Sequence, residues 1–150
     1  MPVSRGLRRL LRVLELEEEQ CQMALAAAVG ELRRLERAFE TAAARDRSGR
    51  RLIAASAASG ELADRLSGLE ETRAARRRAR LLAPWIEDAE QEVEALRRVH
   101  LAKRVERRQA ETLVQAEEAR ETFAANRQGQ QALDDWYLNR DASERSRRQP

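Results

Sequence analysis

The sequence predicts an all-α fold, a long antiparallel two-helix coiled-coil hairpin, and three observations carry the expectation. Of the 150 residues, 37% are charged and only 3% aromatic, too few large apolar groups for a round core but enough for a narrow one. Most of the apolar content is Ala and Leu, set among Arg and Glu in helical rotation, while strand-forming residues are sparse. Proline occurs only at Pro2, Pro84 and Pro150, so little interrupts a helix.

The first element is a helix over about residues 4–45. From Leu7, steps of four and three residues place Leu11, Leu14, Cys21, Leu25, Ala28, Leu32, Leu35, Phe39 and Ala42 on one stripe, with Glu18 the only polar intruder. Ser4 suits the N-cap. At 1.5 Å per residue such a helix is roughly 60 Å long, and it cannot bury its own stripe without a partner helix. Residues 46–60, "DRSGRRLIAASAASG", hold the breakers Ser48, Gly49 and Gly60 and are the expected turn region.

The second helix is expected over about residues 61–139. It starts at "GELADRL" or at "SGLE", where Ser67 and Glu70 have capping-box spacing. Leu62, Leu66 and Leu69, then Leu82, Ile86, Ala89, Val93 and Leu96, and later Leu113, Ala116 and Phe123 continue a four-three seam, which degrades between His100 and Glu111. Pro84 should kink or break this helix between Leu81 and Trp85, at about 3 kcal/mol. The pairs Glu61 with Arg65 and Glu94 with Arg98 have the spacing to support its exposed face. Residues 140–150, "RDASERSRRQP", carry no stripe and are expected to be disordered.

The same residues bear on function. A slender hairpin offers no pocket in which catalytic groups converge, so no enzyme is expected. His100 reads as a polar seam residue and Cys21 as a small buried hydrophobe, and no Cys/His cluster supplies metal ligands; no catalytic site, metal or cofactor is expected. A lone cysteine fits a reducing cytosol, and no apolar run approaches the roughly 20 residues of a membrane span, so a cytoplasmic protein is expected.

Charge is placed unevenly. The net charge is only +3, yet "RAARRRAR", Arg73 to Arg80, holds five arginines without an acid, and Arg5, Arg8, Arg9 and Arg12 crowd the end of a helix where the dipole disfavours cations. The arginine run reads as a solvated face, a contact for an acidic protein, or a phosphate grip; the absence of interleaved aromatics argues against nucleic acid. Near the other terminus, Trp136 and Tyr137 stand side by side. On a helix they point about 100° apart, so at most one sits centrally on the seam and the other is free to anchor a partner, unless both cover the end of the first helix.

These features together suggest a family. A heptad-bearing first helix, a glycine-containing middle and a long basic second helix end in Ala125, Asn126, Arg127, Gln130, Gln131, Leu133, Asp134, Asp135 and Trp136: a small residue, Asn-Arg, a Gln-containing stretch, an apolar residue, an acidic pair and an aromatic. The layout, over nearly the whole chain, resembles the FliJ/YscO family of flagellar and type III secretion export proteins. The resemblance implies a coiled-coil hairpin similar to the central shaft of rotary ATPases, inserted into the hexameric export ATPase ring and promoting its assembly and activity. It further implies contact with the membrane protein of the export gate, some members also binding export chaperones. The protein would then be cytoplasmic, peripheral to the inner membrane through its partners.

On that resemblance the candidates for ring contact are Arg5, Arg8, Arg9, Arg12, Arg127, Gln130, Gln131, Asp134, Asp135, Trp136 and Tyr137, and those for gate contact Leu62, Leu66 and Leu69. Two other readings stay open from the residues: a coiled-coil scaffold that homodimerises through its first helix, and an RNA-binding hairpin using Arg73 to Arg80.

Overall fold

The computed structural model describes residues 5–148 and holds two helices, α1 (Arg5–Ser59) and α2 (Leu62–Arg147), which pack against each other as an all-α hairpin. Backbone proximity divides the chain into two units, Met1–Glu17 with Lys103–Pro150, and Glu18–Ala102. The expected Ser4 cap lies outside the described residues.

In the Glu18–Ala102 unit, burial follows a four-three count on both helices. Leu35, Ala42, Gly49 and Ser56 are the buried residues of α1. Gly68, Thr72, Ala75, Leu82 and Val93 are buried on α2, with Leu82 fully enclosed. Near the turn the seam is made of small residues because the backbones come very close. A methyl on Gly68 would stand 2.8 Å from the Gly49 carbonyl oxygen, and one on Gly49 would stand 2.8 Å from that of Gly68. Cross-helix ion pairs flank the seam: Arg45 Nε to Glu71 Oε1 at 2.8 Å, and Arg76 Nε to Asp46 Oδ1 at 3.4 Å. The hydrogen bond from Arg45, with its charge, holds the Glu71 carboxyl below its ordinary value.

Several expectations are corrected here. The turn occupies Gly60 and Glu61 rather than 46–60, and α1 runs on to Ser59. Ser48 and Gly49 do not break the helix because Gly49 lies on the seam, where the partner helix supplies packing that outweighs the roughly 1 kcal/mol propensity loss. Gly60 is where the chain reverses: its φ of 74° is left-handed, and its N–H donates to the Ser56 carbonyl at 2.8 Å, closing α1. Phe39 is exposed at the edge of the stripe, and the smaller Ala38 is the half-buried residue there.

Since α2 begins at Leu62, Ser67 and Glu70 lie inside it and form no capping box. Glu61 sits in the turn, and its side chain meets Asp64, which raises its carboxyl pKa; its expected ion pair with Arg65 is absent among the described residues, while Arg98 does reach Glu94 at 3.8 Å. The expected seam at Leu62, Leu66 and Leu69 is displaced to Gly68, Thr72 and Ala75; Leu62 and Leu66 are exposed and Leu69 half-buried.

Pro84 does not break α2. It lies on the solvent side, where water can satisfy the carbonyl that loses its donor, while Ala79, Leu82 and Ile86 hold the seam across it.

In the other unit the seam of α2 runs Lys103, Arg107, Ala110, Val114, Glu117 and Glu121, of which only Ala110 and Val114 are buried. The expected seam residues Leu113, Ala116 and Phe123 are exposed, each off the count set by Ala110 and Val114. Lys103 Nζ bridges Glu17 at 2.9 Å and Glu106 at 3.3 Å, and Arg107 reaches Glu111 at 3.0 Å. The degraded stripe after His100 is therefore a layer of ion pairs, and its carboxylates raise the Lys103 pKa. The expected disordered tail is helical as far as Arg147, extended by local bonds such as Arg140 Nε to Glu144 at 3.2 Å. Pro150 lies outside the described residues.

Candidate interaction surface

Within the unit of Met1–Glu17 and Lys103–Pro150, the two helix segments run antiparallel, as Lys103 pairs with Glu17 and Arg8 with Glu118 at 3.5 Å. Beyond that level α2 continues, and every described residue from Thr122 to Arg148 is exposed. The seam positions that would follow Glu121 are Ala124, Gln128, Gln131 and Asp135, so the sequence stops supplying a buried stripe where the pairing stops.

Apolar groups reappear on a different side of the same helix. Counted at about 100° per residue, Leu133, Trp136 and Tyr137 centre well over a quarter turn from the seam, together with Gly129 and Arg140. Trp136 and Tyr137 are 53% and 59% exposed, so neither is drawn into the hairpin seam and neither is covered by α1. Their rings meet edge to face, centroids 5.1 Å apart at 75°, and the Arg140 guanidinium lies 5.6 Å from the Trp136 centroid. Such a cluster fixes the two rings at low entropic expense, which suits an anchor awaiting a pocket. A methyl on Gly129 would meet nothing within 4 Å, so this turn of helix is flat beside the rings.

The candidates taken from the sequence fall as follows. Arg127, Gln130, Gln131, Asp134, Asp135, Trp136 and Tyr137 share this exposed length of α2, where Gln130 Nε2 donates to Asp134 Oδ1 at 3.3 Å. Arg5, Arg8, Arg9 and Arg12 are exposed on the first turns of α1 in the same unit, and of these Arg8 alone has an ion pair among the described residues. Leu62, Leu66 and Leu69 stand beside the turn in the other unit. Gly129 and Arg140 also belong to this surface, although sequence reasoning does not select them, while Leu138, exposed as well, lies on the seam side of the helix. The four-residue step from Trp136 to Arg140 is visible in the sequence, but a stretch without an apolar stripe gives no reason to expect helix from residue 140 on.

His100 and Cys21 are half-buried at seam positions, the cysteine as a free thiol. Among the described residues no group of three or more His, Cys, Asp or Glu could hold a metal ion, and no helix is long and apolar enough to cross a membrane. The concave features include an open groove between the helices lined by Ala38, Thr41, Ala42, Arg45, Ala74 and Arg78, and one at the C-terminal end of α2 alone lined by Asp141, Glu144, Arg145 and Arg148. No protein-family model, curated protein or solved structure matches the chain.

Proposed function

We propose that this protein is a non-enzymatic stalk component of a flagellar or type III protein export apparatus, which inserts into the hexameric export ATPase ring, promotes its assembly and activity, and links it to the export gate. The observation that carries the reading is the exposed C-terminal length of α2: a single helix that leaves its hairpin partner and presents Leu133, Trp136 and Tyr137 to solvent. An isolated helix with uncovered aromatics gains stability from an external pocket, and Trp and Tyr are favoured anchors in such pockets. The arginines of early α1 in the same unit would add charge contacts to an acidic ring surface.

A single asymmetric element inside a six-fold ring cannot touch all subunits alike. It favours the conformation of those it touches, and hydrolysis, carried out by the ring, is biased through that difference in affinity. The protein would work in the cytoplasm, beside the inner membrane. The test is to add the purified protein to its cognate export ATPase and measure hydrolysis and co-elution. Stimulation that is lost on substituting Trp136 and Tyr137 with Ala is expected; no stimulation and no co-elution would refute the reading. The alternative is a coiled-coil scaffold that pairs with a second copy, through its first helix or through this apolar face of α2, and a stable dimer in light scattering, indifferent to the ATPase, would select it.

A further inference from the structure

The arginine run of α2 remains unexplained by that role, and its setting points elsewhere. From Thr72 to Ile86 there are five arginines and no acid. Arg76 is bridged to Asp46, which also takes Arg50, while Glu40 is held by Arg47 and Glu71 by Arg45. Arg73, Arg77, Arg78 and Arg80 make no ion pair among the described residues, and all four are exposed. Glu40, Asp46 and Glu71 are thus taken by other arginines, and Glu70, which lines a groove with Arg73 and Arg77 but makes no ion pair among the described residues, is the nearest acid to this positive face.

That face also carries apolar groups. Arg73, Arg77, Leu81 and Trp85 are spaced four apart and form one row along the helix, with Arg80 and Pro84 beside it. Counted at about 100° per residue, Arg73, Arg77, Arg80 and Pro84 centre roughly 160° from the seam residues Ala75, Ala79, Leu82 and Ile86, so they look away from α1. Leu81 is 55% and Trp85 49% exposed, although Leu82 between them is fully enclosed. The row turns by about 40° at each step, so Leu81 and Trp85 lie about 130° and 90° from the seam, and arginine with Trp and Leu on its flank is the pattern that lies in the headgroup region of a bilayer, cations on the phosphates and the indole at the level of the glycerol.

We propose that the outward face of α2 from Arg73 to Trp85 binds directly to an anionic membrane surface, lying in the interface without crossing it. Charge complementarity chooses this occupant. A phosphate-rich plane accepts the three outward guanidinium groups of Arg73, Arg77 and Arg80, spread over about two turns, and Leu81 and Trp85 at the end of the row give it depth. Membrane binding by this face does not depend on the export role.

The experiment is co-sedimentation of the full chain with phosphatidylcholine vesicles, with and without phosphatidylglycerol, near physiological ionic strength. Trp85 emission is followed in a Trp136→Phe background, where it is the only indole. Binding only to the anionic vesicles with a blue-shifted Trp85 is expected. Each arginine near such a surface contributes about fivefold, so replacing Arg73, Arg77 and Arg80 with Gln should weaken binding by about a hundredfold. All three are exposed, so unchanged circular dichroism should accompany the loss. The same replacement at Arg5, Arg8, Arg9 and Arg12 should weaken it far less. The proposal is overturned by no uptake on anionic vesicles, by uptake that survives the Arg73 to Arg80 replacements, or by uptake lost instead with the N-terminal arginines. An unshifted Trp85, or tight RNA binding without vesicle uptake, would overturn it as well.

Discussion

Gly49 and Gly30 lie in the same helix, and replacing each with Ala separates backbone propensity from packing. At Gly30 a new methyl would meet nothing within 4 Å, so Gly30→Ala should stabilise the protein by about 0.5–1 kcal/mol through propensity alone. At Gly49 the methyl would stand 2.5 Å from Thr72 Oγ1, 2.8 Å from the Gly68 carbonyl oxygen and 3.0 Å from the Thr72 amide nitrogen. Two of those atoms are backbone and cannot turn aside.

The helices must then part by roughly 0.5–1 Å, which forfeits a quarter to a half of the dispersion attraction of each contact along that stretch. Overpacking of this kind costs about 1–3 kcal/mol, and because both variants gain the same propensity, that packing term is the expected difference between them. Urea denaturation followed by circular dichroism reads it as a lower midpoint for Gly49→Ala than for Gly30→Ala at equal slope. If Gly49→Ala proves as stabilising as Gly30→Ala, α1 and α2 do not approach at Gly49 and Gly68, and the register that rests on their contact is wrong.

Three further outcomes follow from particular residues. Leu82→Ala should lower stability by about 2–5 kcal/mol while the neighbouring Leu81→Ala stays within about 0.5, since Leu82 alone is enclosed; the same denaturation compares them. Gly60→Ala should cost about 1–2 kcal/mol, because φ 74° places an L side chain in the left-handed region, and Gly60→Asn should recover part of that loss. The Glu71 carboxyl is depressed by Arg45, so its contribution is fully present above its ordinary value of 4.5 and lost as pH falls through the lower folded value; Glu71→Gln should flatten that acid limb of the stability profile. Glu61, raised by Asp64, works in the opposite sense, gaining stability as its proton is taken up.

The sequence by itself determined that this chain is helical, that its helices pair through a narrow seam, and where most of the α1 seam lies. From Leu7 to Ala42 the count holds except at Phe39, because a four-three spacing of Leu and Ala can be buried in only one orientation. It also shows Trp136 and Tyr137 as the one adjacent pair of aromatic residues in the chain.

Only the tertiary structure decided where the chain turns and which stripe of α2 is buried. Gly49, Gly60 and Gly68 look alike in sequence, yet Gly60 adopts the left-handed conformation while the other two let the backbones touch. Local propensity treats all three as breakers, but a partner helix at van der Waals distance makes two of them seam residues. For the same reason hydrophobicity alone places Leu62, Leu66, Leu113 and Phe123 in the core, where the structure leaves them exposed. It ranks a leucine above a glycine, but close approach near the turn favours the smaller residue, and register, fixed by contacts many residues apart, assigns the rest.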